Sequence, residues 1–354
     1  MNVALLTKYD DLAASTRFRF SQYKPYLKEK GIEMVFQPLF SNNYLQNLYK
    51  NGYRRQDQII SSYYNRLKWL ISKPDVDLIW LHYELFPFLP SIFERLIKLP
   101  KKPIVFDYDD AIFHNYDFNS NWFIKMLLEK KLQTTISSAK ISFCGNNYLA
   151  EYASRYCSKI EIVPTLVDTK IFYPKITQRP KNDFLRIGWI GTPSTWNNYV
   201  APILPMLKEI TKKEKIEIAV MGADKKAKAD SSINFTEWKK EEEVSFLHSL
   251  DIGIMPLTNT PWAKGKCGFK LIQYMACGLP VLASPVGVNS DIVEHGVNGF
   301  LVETVEDWKS AIKKLCNEPE LRYQMGTAGR KKIEEKYSLE IWGPHVANIL
   351  SNIT

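Results

Sequence analysis

Cysteines are few in this chain and are not grouped. Its 354 residues include five cysteines, and no two of them form a C-x-x-C pair. A disulfide framework or a zinc site normally needs an even or closely spaced set, so the pattern argues against both. We expect reduced thiols with mostly structural roles. The five are Cys144, Cys157, Cys267, Cys277 and Cys316.

Long apolar runs are also missing. A membrane-spanning helix needs about 18 or more consecutive apolar residues, and no such run occurs. The start, Met1–Leu6, enters a strand-like segment directly and lacks the apolar core and cleavage site of a signal peptide. These absences predict a cytoplasmic protein. The length predicts two domains of roughly 150–200 residues each.

The chain is basic, with a formal net charge of +9. Such an excess suits an anionic partner, such as a nucleoside diphosphate, a lipid phosphate or an acidic glycan. A solvated basic surface that aids solubility explains it equally well. The charge is spread along the chain without a zinc finger, an arginine-rich arm or an RNP-type strand. We therefore expect no nucleic-acid partner.

Short apolar, β-branched runs alternate with longer amphipathic stretches, and this β-α-β pattern occurs twice. It predicts an α/β fold with two Rossmann-like domains facing each other across a cleft. The predicted strands are Val3–Thr7, Glu33–Pro38, Leu78–His82, Ile104–Asp107, Ile141–Cys144, Ile160–Val163, Arg186–Ile190, Glu217–Met221, Ile252–Met255, Val281–Ala283 and Phe300–Val302.

Composition sets the expected domain limits. A stretch with two prolines, many charges and no sustained period predicts a linker between the two halves. At the end of the chain, Trp342, Val346 and Leu350 predict a helix with one apolar face, and Pro344 predicts a break or a fresh start near it. The predicted parts are an N-terminal Rossmann-like domain 1–168, a linker 169–183, a C-terminal Rossmann-like domain 184–336, and a helix 337–354 packing back on the first domain.

The most informative segment is Gly265–Val286, GKCGFKLIQYMACGLPVLASPV. Two glycines form a turn before a predicted helix that ends near Gly278. The unpaired N–H groups at the start of a helix form a phosphate site. Lys266 and Lys270 are four residues apart, so both flank that site if the first helical turn already includes Lys266. A capped helix with two solvated lysines is the alternative.

The stretch Asp251–Val302 resembles the donor half of the family-four retaining glycosyltransferases of the GT-B type. The match is good from Met275 onwards. In the glutamate pair E-x7-E of that family, Gly265 stands at the first position and Gln273 at the second. The resemblance implies a metal-independent enzyme in which Gln273 contacts the donor ribose as a neutral amide.

The resemblance extends to other segments. Arg186–Tyr199 is similar to the opening strand and turn of the donor domain, where hydroxyls and backbone N–H groups replace the family's arginine and lysine. Val163–Phe172 resembles the interdomain segment. Arg17 and Arg19 stand at an acceptor-side loop, with ordinary surface arginines as the alternative. The implied donor-site residues are Gly191, Thr192, Ser194, Lys266, Cys267, Gly268, Lys270 and Gln273.

A predicted buried strand ends in three carboxylates, Asp107, Asp109 and Asp110. Burying such charge is costly unless it has a purpose. Paired aspartates bind Mg²⁺, but a second ligand cluster is not evident, so we expect no metal and no cofactor. The other purposes are holding acceptor and sugar hydroxyls or capping the next helix. We assign catalytic roles to Asp109, Asp110 and His82, with a structural histidine as the alternative for His82.

The segment Tyr44–Leu70 is basic and rich in tyrosine, a composition that suits contact with an anionic membrane as well as a plain surface helix. We expect a UDP- or GDP-sugar donor, transfer with retention to a glycan or lipid-linked acceptor, and a role in bacterial surface polysaccharide synthesis at the inner face of the membrane. The alternatives are a sugar-nucleotide epimerase and a non-enzymatic glycan- or nucleotide-binding homologue.

Overall fold

The computed structural model describes residues 1–175 and 184–353. The chain divides into two compact units, and each is described by itself. The first unit comprises Met1–Thr165, Gly265–Cys267 and Leu339–Thr354, and the second comprises Leu166–Lys264 and Gly268–Ser338. Most of the predicted linker 169–183 lies outside the described residues.

Each unit is built on a parallel six-stranded sheet. The strand order is β2-β1-β3-β4-β5-β6 in the first unit and β12-β11-β10-β7-β8-β9 in the second. The strands are β1 Asn2–Leu6, β2 Glu33–Phe36, β3 Leu78–His82, β4 Ile104–Tyr108, β5 Ile141–Cys144, β6 Ile160–Ile162, β7 Leu185–Ile190, β8 Ile216–Met221, β9 Ile233–Thr236, β10 Ile252–Met255, β11 Val281–Ala283 and β12 Gly299–Leu301.

Helices connect the strands, as parallel pairing requires. They are α1 Ala14–Arg19, α2 Lys24–Glu29, α3 Asn42–Asn51, α4 Gln56–Ile71, α5 Ser91–Glu94, α6 His114–Asp117, α7 Trp122–Leu128, α8 Lys131–Ile136, α9 Asn147–Ser154, α10 Pro193–Thr195, α11 Leu204–Lys213, α12 Lys225–Ala229, α13 Glu243–His248, α14 Pro261–Lys264, α15 Phe269–Ala276, α16 Asn289–Ile292, α17 Val305–Asn317, α18 Pro319–Lys336 and α19 Leu339–Ser351. Short 3₁₀ turns cover Ser21–Tyr23, Arg95–Lys98, Ala201–Ile203 and Lys240–Glu242, and one π turn covers Trp196–Val200.

The prediction of an α/β fold with a repeated β-α-β pattern is confirmed. Every predicted strand is present, with ends that differ by at most two residues. The missed strand is β9, whose sequence INFT is short and half polar and which lies at the edge of its sheet. An edge strand needs little apolar sequence because one side of it has no neighbouring strand.

The central strands of both sheets are buried on both faces, which explains their continuous apolar sequences. All five residues of β3 and of β4 are buried. The register of this pair places His82 opposite Asp107. The carboxyl end of β3 therefore lies beside the acidic end of β4.

The last helix, α19, continues through Pro344, so the predicted break there is wrong. Proline removes one backbone hydrogen bond from a helix interior. Burial of Leu339, Val346 and Leu350 within the first unit offsets that loss.

All five cysteines are free thiols, and four of them are buried. Burial raises the pKa of Cys144 and of Cys277 to about 12. Both groups are therefore protonated at neutral pH, as expected for structural thiols. Among residues 1–175 and 184–353, no helix is both long and apolar enough to cross a membrane.

Two backbone segments approach closely at the carboxyl edge of the second sheet. Gly222 follows β8 with a φ of +80°, and a Cβ placed on it would lie 2.3 Å from the Gly191 carbonyl oxygen. The Gly191 N–H donates to the Met221 carbonyl at 3.1 Å. A side chain at position 222 would therefore displace the turn that follows β7.

We predict that Gly222→Ala destabilises the protein by roughly 3 kcal/mol or more, because strain from positive φ adds to a clash with backbone. Gly296→Ala is the matched control, since Gly296 has a φ of +82° and nothing within 4 Å of an added Cβ. This control substitution should lower the free energy of unfolding only by the strain of the positive φ, about 1–2 kcal/mol. The free energy of unfolding in denaturant measures both, and equal losses would contradict the close approach.

Candidate functional site

The acidic end of β4 is organised by a buried ion pair in the first unit. Arg19 donates from Nε and Nη2 to Asp107 Oδ1 at 3.0 and 2.7 Å, and both side chains are almost fully buried. Trp80 Nε1 donates to the other carboxylate oxygen at 3.1 Å. Arg19 Nη1 also donates to the Val163 carbonyl at 2.6 Å. These bonds satisfy charges that would otherwise be costly to bury.

Both predicted acceptor-side arginines, Arg17 and Arg19, are buried. The alternative that they are ordinary surface residues is therefore wrong. The reason for Arg19 is its buried carboxylate partner, Asp107. Arg17 lies over the Phe18 ring, 5.2 Å from its centroid. Their contact with an acceptor stays a prediction.

Asp109 lies one residue beyond β4 and contacts two side chains from the end of β3. His82 Nε2 lies 3.5 Å from Asp109 Oδ1, and the Tyr83 hydroxyl donates to the same oxygen. Burial alone would raise the pKa of this carboxyl, but the hydrogen bond and charge of His82, with help from Arg19 and Tyr83, lower it to about 2. Asp109 is therefore ionised at neutral pH. The His82 side chain is completely buried, whereas the Asp109 side chain that it contacts is partly exposed.

Asp110 is the more exposed carboxylate of the pair. Lys266 Nζ donates to Asp110 Oδ1 at 2.7 Å within the first unit. Asn146 Nδ2 holds the Lys266 carbonyl at 3.0 Å, and Cys267 Sγ donates to the Asp109 carbonyl at 3.1 Å. The segment Gly265–Cys267 thus lies against the acidic end of β4.

Two expectations about this segment need correction. Helix α15 starts at Phe269 after Gly268, which has a φ of +67°, so Lys266 is not part of its first turn. Lys266 and Lys270 therefore do not share a helix face. Asp110 does not cap the following helix either, because α6 starts four residues later and has no side-chain cap.

In the second unit, the turn after β7 meets the start of α15. A Cβ placed on Gly191 would lie 3.0 Å from Lys270 Cε. Lys270 Nζ lies over the Trp189 ring, 5.6 Å from its centroid. The Tyr274 hydroxyl accepts a hydrogen bond from the Ile190 N–H at 3.1 Å and so attaches α15 to the end of β7. Lys270 is thereby placed beside a glycine turn at the carboxyl edge of the sheet.

The amino-terminal end of α15 begins at a glycine. Its cap residue is Gly268, which has no side chain to accept a hydrogen bond from the first turn. The first N–H groups of any helix lack intrahelical acceptors and carry partial positive charge. Further along this helix, Gln273 is only 3% exposed.

Hydroxyl groups occupy the turn between β7 and α10. The Thr192 N–H donates to Thr195 Oγ1 at 3.1 Å, and the Thr192 and Ser194 hydroxyls lie 3.1 Å apart. This bond is part of a capping box between Thr192 and Thr195 at the start of α10. Thr192 and Ser194 are exposed, so their hydroxyls are open to a ligand.

The structure thus places the predicted donor residues in two groups. Lys266 and Cys267 belong to the first unit. The others belong to the second unit and lie along its turn after β7 and in α15: Gly191, Thr192, Ser194, Gly268, Lys270 and Gln273. Within the described residues, no group of three or more His, Cys, Asp or Glu side chains is arranged to hold a metal ion.

Three residues of these sites were missed from the sequence: Tyr83, Tyr274 and Gly222. Tyr83 has a φ of +65°, and its burial raises its hydroxyl pKa well above the usual value, so it remains a donor to Asp109. Gly222 stands directly after a predicted strand, and a glycine at such a position could have been used to predict a close turn. Nothing in the local sequence marks the contact of Tyr274 with β7.

Known proteins similar in sequence indicate the class of enzyme that this chain resembles. Residues 185–318 match the family model "Glycosyl transferases group 1". This match confirms, for residues 185–318, the resemblance inferred from the sequence. A probable sucrose-phosphate synthase of Thermosipho melanesiensis is 26% identical over 229 residues, 59% of this chain and 51% of that protein. The chain spans about half the length of that relative.

Solved structures share the fold along nearly the whole chain. Sucrose-phosphate synthase from Thermosynechococcus elongatus superimposes with a TM-score of 0.71 at 13% identity, covering 99% of this chain and 98% of that one. The Anabaena protein HepE, solved in complex with UDP, superimposes with a TM-score of 0.69 at 12% identity. The superposition covers 99% of this chain and 100% of that one. The predicted GT-B fold class is confirmed.

Proposed function

We propose that this protein is a glycosyltransferase that transfers a sugar from a nucleoside-diphosphate sugar to a glycan or lipid-linked acceptor, with retention of anomeric configuration. The observation that carries the proposal is the start of α15 at a glycine cap, directly beside Lys270 and the Gly191 turn. Helix N–H groups and an ammonium together form a site for a diphosphate. The group 1 domain at residues 185–318 supports the same reaction.

The donor is bound by the second unit. Lys270 and the first N–H groups of α15 contact the diphosphate, and the hydroxyls of Thr192 and Ser194 contact its outer oxygens. Gln273 offers the ribose a neutral amide hydrogen bond. UDP is the nucleotide that we propose first, because HepE shares the fold and binds UDP. GDP is the second choice.

The chemistry that follows is mainly electrostatic. The bond between the sugar and the donor phosphate breaks, and the acceptor hydroxyl forms a new bond to the anomeric carbon. The proton of that hydroxyl passes to the departing diphosphate, so no protein base and no metal are required. Lys270 and the helix N–H groups stabilise the negative charge that grows on the leaving group. Asp109, ionised at neutral pH, and Asp110 accept hydrogen bonds from sugar or acceptor hydroxyls.

The donor site is tested by thermal denaturation with UDP, GDP, ADP and CMP, with and without Mg²⁺. A nucleotide at about 100 times its Kd stabilises a two-state domain by roughly 2.7 kcal/mol. We expect one diphosphate to do so without metal, and Lys270→Ala to lose most of the effect. Lys313→Ala, an exposed lysine of α17 in the same unit, is the control and should keep it. No stabilisation by any nucleotide at millimolar concentration would refute the proposal.

Product analysis separates the alternatives. Incubation with the matching nucleotide sugar alone should leave its stereochemistry unchanged, whereas an epimerase would convert it. With lipid-linked glycan acceptors from bacterial surface polysaccharide synthesis, NMR should show a new linkage with the anomeric configuration of the donor. Tight nucleotide binding without transfer to any acceptor of a broad panel would instead support a non-enzymatic binding protein.

A lipid-linked acceptor implies contact with a membrane, and two helices of the first unit suit it. Along α4, Ile60 and Tyr64 are 69% and 64% exposed on one face, and Lys68 continues that face. On α7, Trp122 is 72% exposed next to Lys125. Exposed aromatic and apolar side chains with nearby lysines bind the interface of anionic bilayers. We propose that these two faces make a peripheral contact with the membrane.

Vesicle sedimentation tests that contact. The protein should co-sediment with vesicles that contain phosphatidylglycerol and less with pure phosphatidylcholine. Ile60→Glu combined with Tyr64→Glu, and Trp122→Glu separately, should each reduce the bound fraction several-fold. Tyr323→Glu, at a tyrosine 66% exposed on α18, is the matched control and should bind normally. Unchanged binding of both variants would contradict the assignment.

A further inference from the structure

A polar cavity of about 440 Å³ lies in the first unit beyond the carboxyl end of β2. One wall is a single face of α4, because its lining residues repeat at helical spacing. The opposite wall is the segment that follows β2, from Gln37 to Ser41, with Tyr44 of α3. Ligands of parallel α/β sheets typically bind beyond the carboxyl ends of the strands. The α4 residues that line the cavity are Asp57, Gln58, Ser61, Ser62, Asn65 and Arg66.

Arg66 is the unusual member of this lining. It is only 4% exposed, yet no carboxylate lies within ion-pair distance of it in the described part of the chain. Its Nη2 donates to two neutral carbonyls, those of Thr7 at 3.1 Å and Gln37 at 2.7 Å. Its buried Nη1 atom has no hydrogen-bond partner in that same part of the chain.

Two other buried cations of the first unit have carboxylate partners. Arg19 has Asp107, and Lys131 has Glu94 at 2.5 Å. Glu94 is the carboxylate whose charge acts on Arg66, but Lys131 already neutralises it. Burial lowers the pKa of Arg66, but a guanidinium keeps its proton in proteins. A buried, unpaired cation is costly without an anion to match it.

The rest of the lining points to the kind of molecule that carries this anion. Ser61, Ser62 and Asn65 present hydroxyl and amide groups, which bind sugar hydroxyls well. Gln58 Oε1 is buried without a partner among the described residues and can accept one more hydrogen bond. Tyr44 supplies an apolar ring surface. The negative charge of Asp57 is neutralised by Arg55, whose Nη2 lies 2.5 Å from Asp57 Oδ2.

We propose that this cavity binds a saccharide unit that carries an anionic group, a carboxylate or a phosphate, with Arg66 as the counter-ion of that group. The hydroxyl and amide side chains of α4 would bind the sugar ring. That this unit belongs to the acceptor rests on the proposed glycosyltransferase function. The binding itself does not depend on that function.

Calorimetric titration with glucuronate, glucose 6-phosphate, glucose and inorganic phosphate tests the proposal. We expect saturable binding of at least one anionic sugar, with glucose and inorganic phosphate at least about tenfold weaker. The tighter of the two anionic sugars identifies the group as carboxylate or phosphate. No saturable binding of either would overturn the proposal, and so would equal binding of inorganic phosphate.

Two variants assign the binding to this cavity. Arg66→Met keeps the length of the side chain but removes its charge, and should weaken binding at least about tenfold. Ser62→Leu fills the cavity from α4 and leaves residue 66 an arginine, and it should also abolish binding, so the test survives if Arg66→Met folds poorly. Ser154→Leu, at an exposed serine of α9, is the control and should bind normally. Wild-type affinity in both cavity variants would overturn the assignment.

Nucleotide stabilisation of the second unit distinguishes the two proposals. The cavity variants should keep the stabilisation by UDP or GDP seen in the wild type. If no nucleotide stabilises the wild-type protein but anionic sugars still bind through Arg66, the glycosyltransferase proposal fails and the cavity remains. If nucleotides stabilise it and no anionic sugar binds, only the cavity proposal fails.

Discussion

The second unit depends on one constraint: α15 must begin without a capping side chain directly beside the end of β7. Gly268 permits this start because its φ of +67° suits glycine. Tyr274 then fixes the helix to Ile190 through a hydrogen bond. Lys270 is held next to Gly191, and Gly222 keeps that turn in place through its own close approach. A helix that starts at a glycine has no capping side chain there, and the proposed function uses this start as a site for the donor diphosphate.

The first unit deals with charge in a different way. It buries Lys131 beside Glu94 and Arg19 beside Asp107, and the second of these pairs fixes the acidic end of β4. Because that pair is complete, Asp109 and Asp110 remain to interact with His82, Tyr83, Lys266 and any bound hydroxyls. Arg66 is buried without a carboxylate partner among the described residues. This is the reason for proposing that the cavity beside α4 binds an anionic group.

Much of the fold could be predicted because buried parallel strands need continuous apolar sequence. The strands β3 and β10 had the predicted bounds, whereas the polar edge strand β9 gave no such signal. The helix break predicted at Pro344 was wrong because packing of the helix within the first unit outweighs one lost hydrogen bond. Local sequence indicates the helix or strand propensity of a segment. It does not show the tertiary packing that can override this propensity.

The site was less predictable, for a physical reason in each case. The spacing of Lys266 and Lys270 suggested one helix face, but a glycine in a left-handed conformation delays the helix to Phe269. The burial of Arg17 and Arg19 could not be read from two arginines in a loop. Arg66 looked like one more charge in a basic helix, because its isolation from carboxylates depends on residues that are distant in sequence.

Hydrogen exchange with and without a nucleoside diphosphate tests the central claim most directly. The first backbone amides of α15 are those of Phe269, Lys270 and Leu271, and the proposed function places them against the donor diphosphate. The account predicts that saturating UDP or GDP slows exchange in the peptide covering Gly268–Ala276 and in the turn at Gly191–Ser194. Saturated binding that leaves both segments unchanged and protects another region would contradict it.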